Sequence, residues 1–267
     1  MSAHEASVIA AHRDDLVWLL ALAIPLAARM FGEDAQAASQ RLQLLALTLA
    51  VAAAWAWVFA RAGCRPVGSG LPLFAMAFVV MLPGPVGWGS ALLALSFGAV
   101  FGREIFGGRT ILPPALIGLA FAIYSFPAGG FEPRAVVTQP PDEVLALARL
   151  VAAAFVLACR RALAWQVAVG AVLGVMLAGL WMGGLPWWEH LSRGSFAAGV
   201  LFLAAAPESA NGRPGARFLH GVLVGALVVV FRLANPEQPD GVVFAVLLGG
   251  LFAPLIDRAL GWRPRHA

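Results

Sequence analysis

The chain has 267 residues, 61% of them hydrophobic and only 12% charged, with a mean hydropathy of +0.83. A water-soluble domain carries about 25% charged residues, so this composition excludes a soluble globular protein and makes lipid the main solvent. All 18 basic residues are arginine, and the net charge is +4 with a pI near 10.4. No basic stripe is interleaved with aromatics, so nucleic acid is excluded as a partner and the arginines are read as topology signals.

Residues 1–15 hold Glu5, His12, Arg13, Asp14 and Asp15 without a signal-peptide pattern, so the first apolar stretch is expected to stay in the membrane. Ten apolar segments follow: 16–30, 42–60, 71–82, 88–101, 111–126, 144–158, 162–181, 196–206, 218–231 and 242–260. At about 20 residues per span, the expected fold is an all-α integral membrane protein of about ten transmembrane helices. The third and eighth segments stop short before Pro83 and Pro207. Segments of that length end partway through a bilayer and need protein around them to satisfy the freed backbone groups.

With ten spans, twelve arginines from Arg13 to Arg265 lie on the side of the termini. Six (Arg29, Arg41, Arg134, Arg149, Arg193 and Arg232) lie on the other. The positive-inside rule then puts both termini in the cytoplasm. The halves also resemble each other. Gly68 to Pro83 lines up with Ser192 to Pro207, Val100 to Gly108 with Val230 to Pro236, and Gly118 to Ala122 with Gly249 to Ala253. Five spans per half make the second half inverted, so residues 1–126 and 144–260 read as two inverted five-helix repeats. Residues 127–143 form an external loop and 261–267 a cytoplasmic tail. Inverted repeats with paired broken segments point to a central pathway at the repeat interface.

The chemistry on offer is sparse. His220 lies near the start of the ninth segment, Asp257 and Arg258 near the end of the tenth, and Arg29 and Arg232 cap spans. No Asp, Glu or Lys is expected at mid-membrane depth, which argues against a proton relay. His190 is placed in a loop after Pro186-Trp187-Trp188-Glu189, a poor position for a haem ligand. The tryptophans read as an interfacial belt. Cys64 and Cys159 give neither metal spacing nor a disulfide framework. No Walker loop, dinucleotide fingerprint or nucleophile elbow is present.

Three stretches resemble a known family. The first is Phe101-Gly-Arg-Glu-Ile-Phe-Gly-Gly108 with Leu112 to Phe121 and Ser125-Phe-Pro127. The second runs from Leu185-Pro-Trp-Trp-Glu-His-Leu191 to Pro207-Glu-Ser-Ala210. The third runs from Gly221 through Arg232-Leu-Ala-Asn-Pro236 to Phe252-Ala-Pro-Leu-Ile-Asp-Arg258. Together they resemble the NqrB/RnfD family, the membrane subunits of Na⁺-translocating NADH:quinone reductase and of the Rnf electron-transport complex.

The resemblance implies a multi-pass subunit of an ion-coupled electron-transport translocase in the bacterial inner membrane, either electron-transferring or non-catalytic. Its implied partners are the lipid bilayer, other membrane and redox subunits, and quinone. It also implies Thr138 as the residue that would carry covalent FMN. In the family that threonine follows Ser-(Gly/Ala)-Ala, whereas here it follows Arg134-Ala-Val-Val. The family's Thr-Asp-Pro is Ala205-Ala206-Pro207, and its Asn-Pro-Ala is Pro113-Pro114-Ala115. The expectation for this chain is therefore a family subunit without covalent FMN. The alternative is a small-solute channel or transporter of urea-channel-like architecture, which a charge-poor centre would suit.

Overall fold

The structure is a computed structural model. It describes residues 3–32, 35–63, 71–82, 87–106, 110, 112–126, 143–159, 163–192, 195–206, 209, 213–235 and 241–260. For residues 3–14, 29, 32, 71 and 143–149 it describes the backbone alone. Thr138, Gly68, Gly194 and both Gly107 and Gly108 lie outside these residues.

Eleven helices account for most of the described chain. They are α1 (Ala3–Gly32), α2 (Ala35–Ala62), α3 (Leu71–Met81), α4 (Trp88–Ala99), α5 (Pro114–Ser125), α6 (Glu143–Cys159), α7 (Trp165–Met182), α8 (Trp187–Ser192), α9 (Phe196–Gly199), α10 (Pro214–Ala234) and α11 (Val242–Ala259). Two π-helical turns extend α4 over Val100–Glu104 and α9 over Val200–Ala204. Four helices, α2, α7, α10 and α11, are long and apolar enough to cross a membrane by length and composition.

Local chemistry sets several boundaries. α5 and α10 open with Pro114 and Pro214, whose missing N–H falls where a helix has no acceptor for it. α7 stops at Gly183 and Gly184, with φ of 70° and 93°. This left-handed backbone carries no Cβ penalty only in glycine. The π-turns close through bonds of five-residue reach, Ile105 N to Val100 O at 3.0 Å and Ala205 N to Val200 O at 2.9 Å.

Helix seams are set by glycines. Gly170 and Gly174 on α7 meet Gly221 and Gly225 on α10. A Cβ at Gly170 would strike the Phe218 carbonyl, one at Gly174 the Val222 carbonyl, one at Gly221 the Val167 carbonyl and one at Gly225 the Ala171 carbonyl. The residue numbers rise together on the two helices, so α7 and α10 run parallel with their backbones touching. In lipid there is little hydrophobic drive between helices, and such close approach supplies the association instead. α4 and α5 instead pack antiparallel. Gly98 and Gly102 lie against Pro114, while Gly118 lies against Ala94. Phe97 stacks on Phe121 at 4.2 Å in the same seam. α10 and α11 are also antiparallel, with Gly241 on Phe231 and Gly249 on Val224.

The parallel α7–α10 pair has a topological consequence. α7 has 18 residues and rises about 27 Å. The chain between Met182 and Pro214 must travel back over that height. The nine helical residues of α9 and its π-turn cover about 14 Å of that return.

Candidate functional site

The π-turn of that returning segment is buried. Val200, Leu201, Phe202, Leu203, Ala204, Ala205 and Ala206 are all buried, as is Ser209 beyond the helix end. α3 has the same character. Phe74, Ala75, Ala77, Phe78, Val79, Val80, Met81 and Leu82 are buried, and Leu82 N closes the helix on Phe78 O at 3.1 Å. A helix that is apolar all round belongs in the interior. Of the two short segments, α3 packs against α1, α2 and α5, and α9 with its π-turn packs against α6, α7 and α11.

Phe78, Leu82, Leu116, Leu203 and Ala204 are each fully buried. Phe78 also rests against Gly118 of α5. Phe78→Ala is expected to cost about 3–5 kcal/mol through the cavity it leaves, measured as a lower unfolding temperature in detergent.

His190 is where sequence reasoning erred. It does not lie in a loop. It sits on α8 and is completely buried. Arg232 stands in the last turn of α10, as expected of a residue that caps a span. It lies within α10 and is buried at 5% exposure. Its Nη1 donates to the His190 carbonyl and stands 3.4 Å from His190 Nδ1. Gly179 makes room for this, because a Cβ there would lie 3.2 Å from Trp187 Cβ and 3.8 Å from His190 Cδ2. The six-residue α8 is thereby tied to the last turn of α10 and seated on α7, directly above the start of α9, where Ser195 and Phe196 are buried. The missed signal was Pro186 before a short amphipathic run, which is a helix start.

Residues 100–104 continue α4 as a π-turn with Gly102 and Glu104 buried. Arg103 Nε stands 3.8 Å from Glu104 Oε1. His220 and Asp257 are both buried, on α10 and α11. Cys159 ends α6 and is exposed. Among the described residues, no three His, Cys, Asp or Glu side chains gather as metal ligands. Thr138 lies outside the described residues.

Comparison with known proteins adds the identity of the scaffold. The sequence profile of the NQR2, RnfD, RnfE family matches residues 2–144 and 137–265. The NqrB subunit of the Na(+)-translocating NADH-quinone reductase of Azotobacter vinelandii is 30% identical, over 83% of this chain and 67% of its own length. The protein of the same name from Pseudomonas aeruginosa is 29% identical, over 95% of this chain and 77% of its own. That from Chromohalobacter salexigens is 30% identical, over 75% of this chain and 60% of its own. The chain therefore spans from three fifths to about three quarters of these relatives' length. Because the profile runs along nearly the whole helical bundle, short central segments included, the chain belongs to the NQR2, RnfD, RnfE family.

Proposed function

We propose that this chain is the multi-pass membrane subunit of an ion-coupled electron-transport assembly of the Nqr or Rnf type. The observation that carries the reading is the family match along nearly the whole chain, together with relatives named as NqrB subunits of Na(+)-translocating NADH-quinone reductase. In this reading, redox subunits docked alongside supply and accept electrons, quinone is the acceptor pool, and the chain contributes the bundle through which ion movement is coupled. It lies in the bacterial inner membrane with both ends in the cytoplasm, as the arginine distribution favours.

The proposal includes ten spans in two inverted repeats, 1–126 and 144–260. Packing supports it. α1 lies against α6 and α5 against α11, which are equivalent helices under the repeat. α4–α5 and α10–α11 are both antiparallel pairs lined by glycine. The halves have diverged at one seam, since α7 carries Gly170 and Gly174 while its counterpart α2 has no glycine.

The proposal also holds that the subunit carries no covalent FMN. Purification in mild detergent from the native membrane, followed by native mass spectrometry, is expected to return the chain bound to redox subunits. A solitary chain that passes a small neutral solute in proteoliposomes would replace this reading with a channel. In-gel flavin fluorescence of the denatured chain is expected to be blank. A fluorescent band that disappears in Thr138→Ala would restore the flavin.

A further inference from the structure

Arg61, at the end of α2, lies on an aromatic ring. Its guanidinium carbon stands 5.3 Å from the ring centroid of Trp57. Residues four apart on a helix share a face, and here both are exposed, Trp57 at 57%. Arg61 is in the last turn of α2, where an arginine side chain can bond the final carbonyls. Its guanidinium instead folds back over the preceding turn. No carboxylate among the described residues pairs with it. Arg213 and Arg258 are exposed too, but no ring of the described residues lies under either.

Hydropathy fixes the depth of this pair. Residues 44–60 of α2 carry no charge. That run rises about 25 Å, close to the ~30 Å of a bilayer's hydrocarbon. Arg61 is the first charged residue beyond it, so the guanidinium meets the headgroup layer. The Trp57 indole lies one turn deeper, on the hydrocarbon side. The ring covers one face of the guanidinium and holds it in place, which lowers the entropy lost on binding. The edge of the fork keeps its N–H donors, which match two oxygens of a phosphate. A zwitterionic headgroup brings its own cation to that phosphate. An anionic headgroup does not, and so gains more from Arg61.

We infer that Trp57 and Arg61 form a binding site for the phosphate of an anionic phospholipid, in the leaflet around the C-terminal end of α2. The guanidinium donates charge-assisted hydrogen bonds to the phosphodiester oxygens. The indole packs beside the glycerol end of the same lipid, at the depth where its apolar body and polar edge are both satisfied. This inference stands apart from any redox role of the subunit.

The full chain in nanodiscs tests it. Trp57 fluorescence is read as the difference between the unaltered protein and Trp57→Phe. Every nanodisc holds the same minor fraction of phosphatidylglycerol in phosphatidylcholine, and bromine is carried by an equal amount of one lipid or the other. Brominated phosphatidylglycerol is expected to quench Trp57 about fivefold more efficiently than brominated phosphatidylcholine. Arg61→Gln is expected to erase that preference, and Arg258→Gln to leave it. Equal quenching by the two lipids overturns the site, as does a preference that survives Arg61→Gln. Inorganic phosphate at constant ionic strength is expected to change nothing. Loss of the preference in its presence would make the ligand a free phosphate ion and overturn the lipid site. Should Trp57→Phe disturb the fold, native mass spectrometry decides the matter. The unaltered chain is expected to hold its first phosphatidylglycerol about fivefold more tightly than Arg61→Gln does, and equal retention overturns the site.

Discussion

Leucine at Gly174 is expected to separate α7 from α10 and to leave little folded protein. Two opposing effects act when a helical glycine is replaced. Alanine gains about 1 kcal/mol of helix propensity over glycine. Overpacking costs about 1–3 kcal/mol when side chains can shift. At Gly174 the atom in the way is the Val222 carbonyl, with Val222 C at 2.9 Å and Ala226 N at 3.0 Å from the added carbon. Backbone of a neighbouring helix cannot rotate aside, so the steric cost wins even for Gly174→Ala. The same holds at Gly225, where the added carbon would meet the Ala171 carbonyl. Gly174→Ala is expected to lower stability by about 2 kcal/mol net, and Gly174→Leu to abolish a monodisperse peak in size-exclusion chromatography. Gly89, in the first turn of α4, has nothing within 4 Å of an added carbon. Gly89→Ala is therefore expected to be neutral or slightly stabilising. Equal loss at Gly89 and Gly174 would show that the seam is not the cause.

The second large effect is expected at Arg232. Arg232→Met removes the guanidinium that donates to the His190 carbonyl and leaves that carbonyl buried without this donor. An unmet buried acceptor costs about 1–3 kcal/mol. α8 has only six residues, too few to hold itself as an isolated helix, so the cost falls on α8 before the rest of the bundle. Hydrogen exchange at residues 187–192 is expected to rise by at least tenfold, corresponding to about 1.4 kcal/mol, while α7 and the body of α10 keep their protection. Arg232→Lys retains the charge but loses the planar fork, and is expected to fall between the two. Uniform loss of protection in Arg232→Met would mean that the residue supports the whole bundle and not α8 in particular.

Parts of this architecture are legible from local sequence alone. Each of the ten apolar segments falls within a helical element, with boundaries that differ by a few residues where polar turns extend α1 and α2 or where Pro113 delays the start of α5. Hydropathy is a property of a window of residues, so it survives without knowledge of neighbours. The shortness of 71–82 and 196–206 was visible for the same reason, because proline follows both. The i, i+4 glycine pairs at 170/174 and 221/225 stand in the sequence as well, but spacing alone does not say which helix each one meets.

Composition and the order of apolar segments thus determined that this chain folds in lipid, that it is helical, and that two of its segments are too short to cross alone. Only the tertiary structure decided that α7 and α10 run parallel in backbone contact, that His190 is buried under the guanidinium of Arg232, and that the His220 ring lies on Gly249 across the α10–α11 seam. It is helix register that brings these residues together. Register is set by where glycine lets two backbones meet, a relation between distant segments that no local window of sequence contains.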